Sequence, residues 1–144
     1  MKRFLIIGSI NAVTYKEVFP YIKSREVHYR PECYGIKCYY NTNKKMTTTW
    51  YTTLIPPYIP LLELTKSYTP DAYPKYDNYD AINVDKTINI PYDYQGVMGV
   101  PITFLDKYCP DQFEIVKFRK GDDDKDLSVN GVCPYFRILI RHRK

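Results

Sequence analysis

Apolar residues fall along this chain in three rhythms, and each predicts a different element. The first is the unbroken run Phe4-Leu5-Ile6-Ile7, closed by Gly8 and Ser9. A continuous apolar run ending in glycine predicts a strand over residues 4–9 that is buried on both faces, most simply in a parallel sheet. Such a strand needs a neighbour on each edge. The second rhythm is a stripe of Val18, Phe19 and Ile22, with Asn11 upstream as a cap. It predicts a short helix through residues 15–19, limited by Pro20. The third is alternation. Residues 46–54, rich in Thr, Trp and Tyr, read as a strand. They form a natural hairpin with residues 34–40 across the polar turn 41–45. Residues 112–119 alternate in the same way. They pair with a last strand at 135–140, across the acidic turn 121–126.

Between these blocks the pattern weakens. Pro56, Pro57 and Pro60 break regular structure. Residues 61–64 suit a short strand or one helical turn, residues 66–78 a loop, and residues 83–91 a strand-like beat. Residues 100–108 suit a short strand or helical turn. The stretch 73–105 interleaves rings, short acids and amides too closely for a helix, yet its Tyr, Ile and Val content argues against disorder. Long irregular segments of this kind in a compact protein are commonly functional. No repeat, low-complexity tract or linker divides the chain, so one domain over 1–144 is expected.

Composition sharpens this picture. The 144 residues carry a net charge of +5, and 16 of them are tyrosine. Tyrosine offers a flat stacking face and a hydroxyl, so a basic, Tyr-rich chain suits nucleic acid. The same rings also suit the margins of an ordinary core. The apolar run at 4–7 is too short for a signal peptide and no run approaches a membrane span, so a cytoplasmic protein without membrane contact is expected. Cys33, Cys38, Cys109 and Cys133 lack the paired spacing and histidines of a zinc site, and reduced thiols are expected. Asp122, Asp123, Asp124 and Asp126 lack the spacing of a calcium loop and read as a solvated turn. Ile55-Pro56-Pro57-Tyr58 approaches the polar-Pro-Pro-aromatic motif of amino-methyltransferases. Ile55 accepts no hydrogen bond from a target amine, so a Pro-Pro turn is the simpler reading.

Several segments taken together resemble the EcoRI-type adenine-specific DNA methyltransferase family. They are Phe4-Leu5-Ile6-Ile7-Gly8, Trp50-Tyr51-Thr52-Thr53-Leu54, Tyr73-Pro74-Lys75-Tyr76-Asp77-Asn78-Tyr79-Asp80, Gly96-Val97-Met98-Gly99-Val100-Pro101-Ile102-Thr103-Phe104-Leu105 and Arg137-Ile138-Leu139-Ile140-Arg141. The resemblance runs collinearly over nearly the whole chain. It implies an α/β fold: the C-terminal strands of a Rossmann-like methyltransferase sheet, mixed parallel and antiparallel, with few helices and long Tyr/Pro-rich loops. It covers the family's C-terminal half. The S-adenosylmethionine loop and the Asn-Pro-Pro-Phe catalytic motif of such enzymes precede the segment that looks like residues 4–9. S-adenosylmethionine is therefore the family's cofactor, but none is expected to bind this chain alone. No catalytic residue or metal ligand is assigned.

The resemblance implies DNA as partner, with the chain contributing target binding. A companion chain carrying the N-terminal half, or self-association through the edge of residues 4–7, would complete the sheet. A stand-alone basic, Tyr-rich nucleic-acid-binding module and an inactive remnant remain open. The candidate DNA contacts are Arg25, Arg30, Lys44 and Lys45, which flank aromatics on the expected hairpin, and Arg141 in the basic tail. Tyr76, Asn78, Tyr79, Tyr92 and Tyr94 join them from the Tyr-rich stretch.

Overall fold

The computed structural model describes residues 2–30, 36–39, 45–54 and 60–143. The chain divides into two compact units, Met1–Tyr58 and Ile59–Lys144. The division falls inside the proline-rich stretch.

In the first unit, β1 (Leu5–Ser9) is followed by a 3-10 helix (Ile10–Thr14), α1 (Phe19–Lys23), β2 (His28–Arg30), β3 (Ile36–Tyr39) and β4 (Lys45–Thr52). β4 is the central strand. β1 lies antiparallel along one side of it, from Leu5 opposite Thr52 to Ser9 opposite Thr48. β2 and β3 share its other side, both antiparallel. The expected hairpin is therefore present as β3 and β4. The expected surroundings of residues 4–9 are not. The strand is antiparallel, it has one ladder rather than two among the described residues, and Leu5, Ile6 and Ile7 are 52%, 53% and 50% exposed.

The helix also lies further on than the sequence suggests. Ser9 Oγ accepts from the Asn11 amide and starts the 3-10 turn there. α1 then starts at Phe19 with Pro20 in its first turn. Proline is acceptable there because its missing N–H would have no helical partner anyway. The proline thus opens the helix rather than ending it.

The second unit holds β5 (Ile82–Asn83), β6 (Met98–Pro101), β7 (Phe113–Phe118) and β8 (Arg137–His142), with 3-10 turns at Thr87–Asn89 and Ile102–Lys107. Its sheet runs β5-β6-β8-β7, parallel between β5 and β6 and antiparallel elsewhere. The β7–β8 hairpin follows the sequence expectation. It carries a bulge between Ile115 and Lys117. The strand-like beat over 83–91 becomes a two-residue strand and then a 3-10 turn. Residues 100–108 combine both expectations, a strand end and a helical turn.

Ile82, Met98, Val100, Phe104, Phe113, Ile138, Leu139 and Ile140 are fully enclosed and form this unit's core. Phe104 meets Phe113 edge to face at 5.3 Å, an arrangement that the ring quadrupoles favour. Residues 60–65 contain no regular element, yet they are held in place. The Gln112 side chain accepts from Leu62 N–H at 2.7 Å and donates to Leu62 O at 2.8 Å, replacing a strand partner. Together the chain has two sheets and few helices, a mixed α/β arrangement. No helix among the described residues is long and apolar enough to cross a membrane.

Candidate nucleic-acid interface

The Tyr-rich stretch is built around rings that glycines make room for. Tyr76 is 6% exposed. Its hydroxyl donates to Asn83 Oδ1 at 2.8 Å, and Arg137 Nε donates to the same oxygen at 3.1 Å. A Cβ on Gly99 would collide with the Tyr76 ring, so β6 accommodates Tyr76 only because it carries glycine there. Burial pushes the Tyr76 hydroxyl far above the ordinary tyrosine range, and nearby Arg137 draws it partly back. Tyr76 is thus a core residue with a satisfied hydroxyl.

Asn78 acts as a clamp on the 121–128 segment. Its Nδ2 donates to Asp123 Oδ1 at 2.9 Å and to Asp126 O at 3.0 Å, and its Oδ1 accepts from Ser128 N–H. A Cβ on Gly121 would stand 2.6 Å from Asn78 atoms, so the turn approaches this closely only with glycine at 121. Next to it, Asp77 accepts from Gly131 N–H at 2.8 Å, Asn130 N–H at 3.0 Å and the Ser128 hydroxyl at 3.1 Å. These bonds, the Gly131 amide foremost, hold its carboxyl below the usual range. Asn130 (φ 50°) and Gly131 (φ 77°) are both left-handed, which lets two successive amides point at one carboxylate. Asp126 receives the Arg119 guanidinium in a two-pronged pair at 2.7 and 3.0 Å, with Lys120 at 3.0 Å.

The other candidates have different settings. Tyr79 is half-buried against the Tyr76, Ala81, Leu127 and Leu139 cluster, with the Lys117 ammonium 5.7 Å from its ring centre. Tyr94 packs on Tyr68 at 4.6 Å, and Tyr68 on Tyr73 at 5.9 Å. Tyr92 is 55% exposed, while its backbone N–H donates to Lys66 O. Arg141 pairs with Glu114 across the β7–β8 ladder at 2.8 Å. In the first unit, Arg25 follows α1 in the left-handed region (φ 63°). Arg30 ends β2 opposite Trp50, and Lys45 begins β4 opposite Tyr39. Lys44 lies outside the described residues, as do Ile55-Pro56-Pro57-Tyr58.

The structure therefore gathers Tyr76, Asn78 and Tyr79 on one loop and Tyr94 into a tyrosine cluster. The open hollow beside that loop, about 710 Å³, is lined by Asp77, Asp80, Asp122 and Asp123 against Lys75. Carboxylates in that number repel phosphate, so this hollow is a poor cradle for a DNA backbone.

Sequence reasoning missed a better aromatic surface. Tyr135 is 58% exposed and stacks on Phe136 at 4.8 Å and 26°. The Arg119 guanidinium lies 4.1 Å from the centre of the Phe136 ring. The available signal was the adjacent Tyr-Phe pair just before the last strand, at the point where alternation begins. Such a pair, backed by a cation, supplies a stacking face for a base. Among the described residues no group of three His, Cys, Asp or Glu side chains is placed to hold a metal.

In open α/β sheets, glycine at a strand end lets the backbone approach a nucleotide-like ligand closely. At four of the five described glycines, the space is taken by the chain's own side chains: Tyr51 at Gly8, Tyr94 at Gly96, Tyr76 at Gly99 and Asn78 at Gly121. Gly131 is open but spends its amide on Asp77.

The family model for the adenine-specific methyltransferase EcoRI matches residues 39–143. The type II methyltransferase M.EcoRI of Escherichia coli is 48% identical over an alignment that covers 99% of this chain and 51% of that protein. M.MgeORF184P of Mycoplasma genitalium is 31% identical, with 99% of this chain and 58% of that protein covered. M.MpnI of Mycoplasma pneumoniae is 32% identical, with 57% of its length covered. The chain thus spans between half and three-fifths of the length of these relatives. No solved structure matches it.

Proposed function

Because this chain belongs to the EcoRI adenine-specific methyltransferase family, we propose that it is the DNA-engaging part of a restriction-modification N6-adenine methyltransferase. In this reading it works in the cytoplasm and completes a Rossmann-like sheet. The polypeptide equivalent to the rest of the relatives' length supplies the cofactor site and the groups that act on the amine. The observation that carries the division of labour is the state of the glycines. Each described glycine that could have opened a cofactor cradle is filled by a Tyr or Asn side chain or spends its amide elsewhere.

DNA contact is assigned to members of the candidate set, joined by Tyr135. Tyr92 and Tyr135 offer rings, and Tyr94 and Tyr79 offer ring edges. Arg25, Arg30, Lys44, Lys45 and Arg141 offer charge to phosphates. Tyr76 and Asn78 act by shaping the loop that carries Tyr79.

Fluorescence anisotropy of labelled duplex DNA, titrated with the chain at several salt concentrations, tests this. Binding that weakens linearly in log–log form, by about 0.9 per phosphate neutralised, is the expected result. Absence of binding at low salt contradicts it. A stand-alone single-strand-binding module is favoured by one observation, the exposed Tyr135–Phe136 stack. Tighter binding to single strands than to duplex would select that reading.

A further inference from the structure

We infer that Asn130 is a site of spontaneous covalent modification, deamidation through a cyclic imide, and that the Asp77 carboxylate is the brake that sets its rate. The chemistry needs only water, so it is independent of DNA binding.

Asn130-Gly131 is the one Asn-Gly step in the sequence, and both residues are exposed. Glycine after asparagine matters because its nitrogen is the least hindered nucleophile. A Cβ added at Gly131 would meet nothing within 4 Å, so the space beside this nitrogen is open. The step is as follows. The Gly131 amide gives up its proton, and its nitrogen attacks the side-chain carbonyl carbon of Asn130. The new N–Cγ bond closes a five-membered imide. The Cγ–Nδ2 bond breaks, and Nδ2 leaves as ammonia with the proton that Gly131 gave up. Water then opens the ring at either of its two carbonyls. One opening gives aspartate. The other gives isoaspartate, in which the main chain runs through the former side chain.

The fold opposes the first step in two ways. One is geometric. Val129 N–H donates to Val132 O at 2.9 Å and Val132 N–H donates to Val129 O at 3.0 Å. They close a two-residue turn with φ 50° at Asn130 and 77° at Gly131. This is the mirror-image turn that Asn-Gly favours in hairpins. A left-handed residue has ψ near about +47°, which puts the following nitrogen almost opposite the side chain. Attack therefore needs close to half a turn about the Asn130 Cα–C bond.

The other is the proton. Gly131 N–H donates to Asp77 Oδ2 at 2.8 Å, and Asn130 N–H donates to Asp77 Oδ1 at 3.0 Å. The Ser128 hydroxyl at 3.1 Å, and the Asp77 N–H donating to Ser128 O at 2.8 Å, hold the carboxylate in place. A carboxylate kept below its usual pKa range is a poor base for an amide proton. Its charge also disfavours a negative nitrogen at hydrogen-bond distance. Deamidation then waits on local opening of the turn, and opening costs the bonds to Asp77. Isoaspartate, once formed, lengthens the main chain between the two amides and ends their shared aim at Asp77.

The test incubates the full chain in mildly alkaline buffer, folded and in urea, and follows residue 130 by peptide mapping and isoaspartate quantification. Aspartate and isoaspartate are expected at 130 in both samples, more slowly in the folded one. Asp77→Ala is expected to speed the folded chain about tenfold to a hundredfold, through loss of bonds to a charged acceptor. Asp80→Ala, whose carboxylate meets Lys75 instead of the turn, is expected to leave the rate unchanged. Asn130→Gly suits the left-handed backbone and is expected to abolish the product.

No product at 130 in the urea sample overturns the site. Equal rates in the folded and urea samples overturn the brake, as do equal rates in folded Asp77→Ala and the unmodified chain. Circular dichroism checks that Asp77→Ala is folded. Hydrogen exchange of the Gly131 amide in the unmodified chain needs no variant. Slow exchange is expected, and exchange at the rate of an unstructured amide overturns the brake.

Discussion

Leu5-Ile6-Ile7 in β1 and Ile138-Leu139-Ile140 in β8 are nearly the same three residues, and they meet opposite fates. β8 lies between β6 and β7, with a ladder on each side, and its triplet is 0% exposed throughout. Among the described residues β1 has β4 on one side only, and its triplet stays half exposed. An apolar triplet reports how much cover a strand requires. It does not report whether the same chain supplies that cover. β8 gets its cover from its own unit. Among the described residues, β1 has cover on one edge only.

Truncation should expose this contrast most sharply. Leu139→Ala opens a cavity in an enclosed core and is expected to cost about 2–5 kcal/mol. Ile6→Ala removes a side chain already half in water and is expected to cost less than about 1.5 kcal/mol. Urea unfolding of the two variants measures both. Equal costs would mean that β1 is as covered as β8. Next in size is Tyr76→Phe, which deletes a buried donor to Asn83 Oδ1 while Arg137 still serves that oxygen. A loss of about 1 kcal/mol is expected in the same assay, with DNA affinity unchanged if Tyr76 only shapes the loop.

Acid should come next. Asp77, Asp123 and Asp126 all have their carboxyl pKa values held below the usual carboxylate range, through the Gly131 amide, Asn78 and Arg119 respectively. Depressed groups contribute stability that is present above the unfolded value and is lost as pH falls through the folded one. Asp106 runs the other way. Burial raises its pKa, and its contribution fades as pH rises through the folded value. The melting temperature should therefore fall as pH drops below about 4, and Asp77→Asn should make that fall shallower. The smallest effect concerns Arg25, held at φ 63° just past α1. Arg25→Gly relieves a left-handed backbone. It should change stability by no more than about 1 kcal/mol while weakening DNA binding.

Much of this was legible in the sequence where one rule acts alone. The β3–β4 and β7–β8 hairpins follow from alternation on either side of a polar turn. Pairing partners are harder to read. Residues 4–9 carry the signature of a two-sided strand, and the described residues offer them one antiparallel neighbour. The helix moved from 15–19 to Phe19–Lys23 because Pro20 suits a first turn better than an interior. Among candidate contacts, Tyr76 and Asn78 look no different in sequence from Tyr92. Their inward turn depends on Gly99 and Gly121, 23 and 43 positions further along, which make room for them. Tyr135 went unnoticed because its importance comes from the Phe136 ring beneath it and from Arg119, an arrangement only the fold creates.

The central claim is that this chain engages DNA but does not itself carry out the chemistry. It is tested most directly by offering labelled S-adenosylmethionine and duplex DNA to the purified chain, in a sample whose DNA binding has been confirmed by anisotropy. The account predicts bound DNA with no label in adenine. Labelled N6-methyladenine made by the chain alone would contradict it.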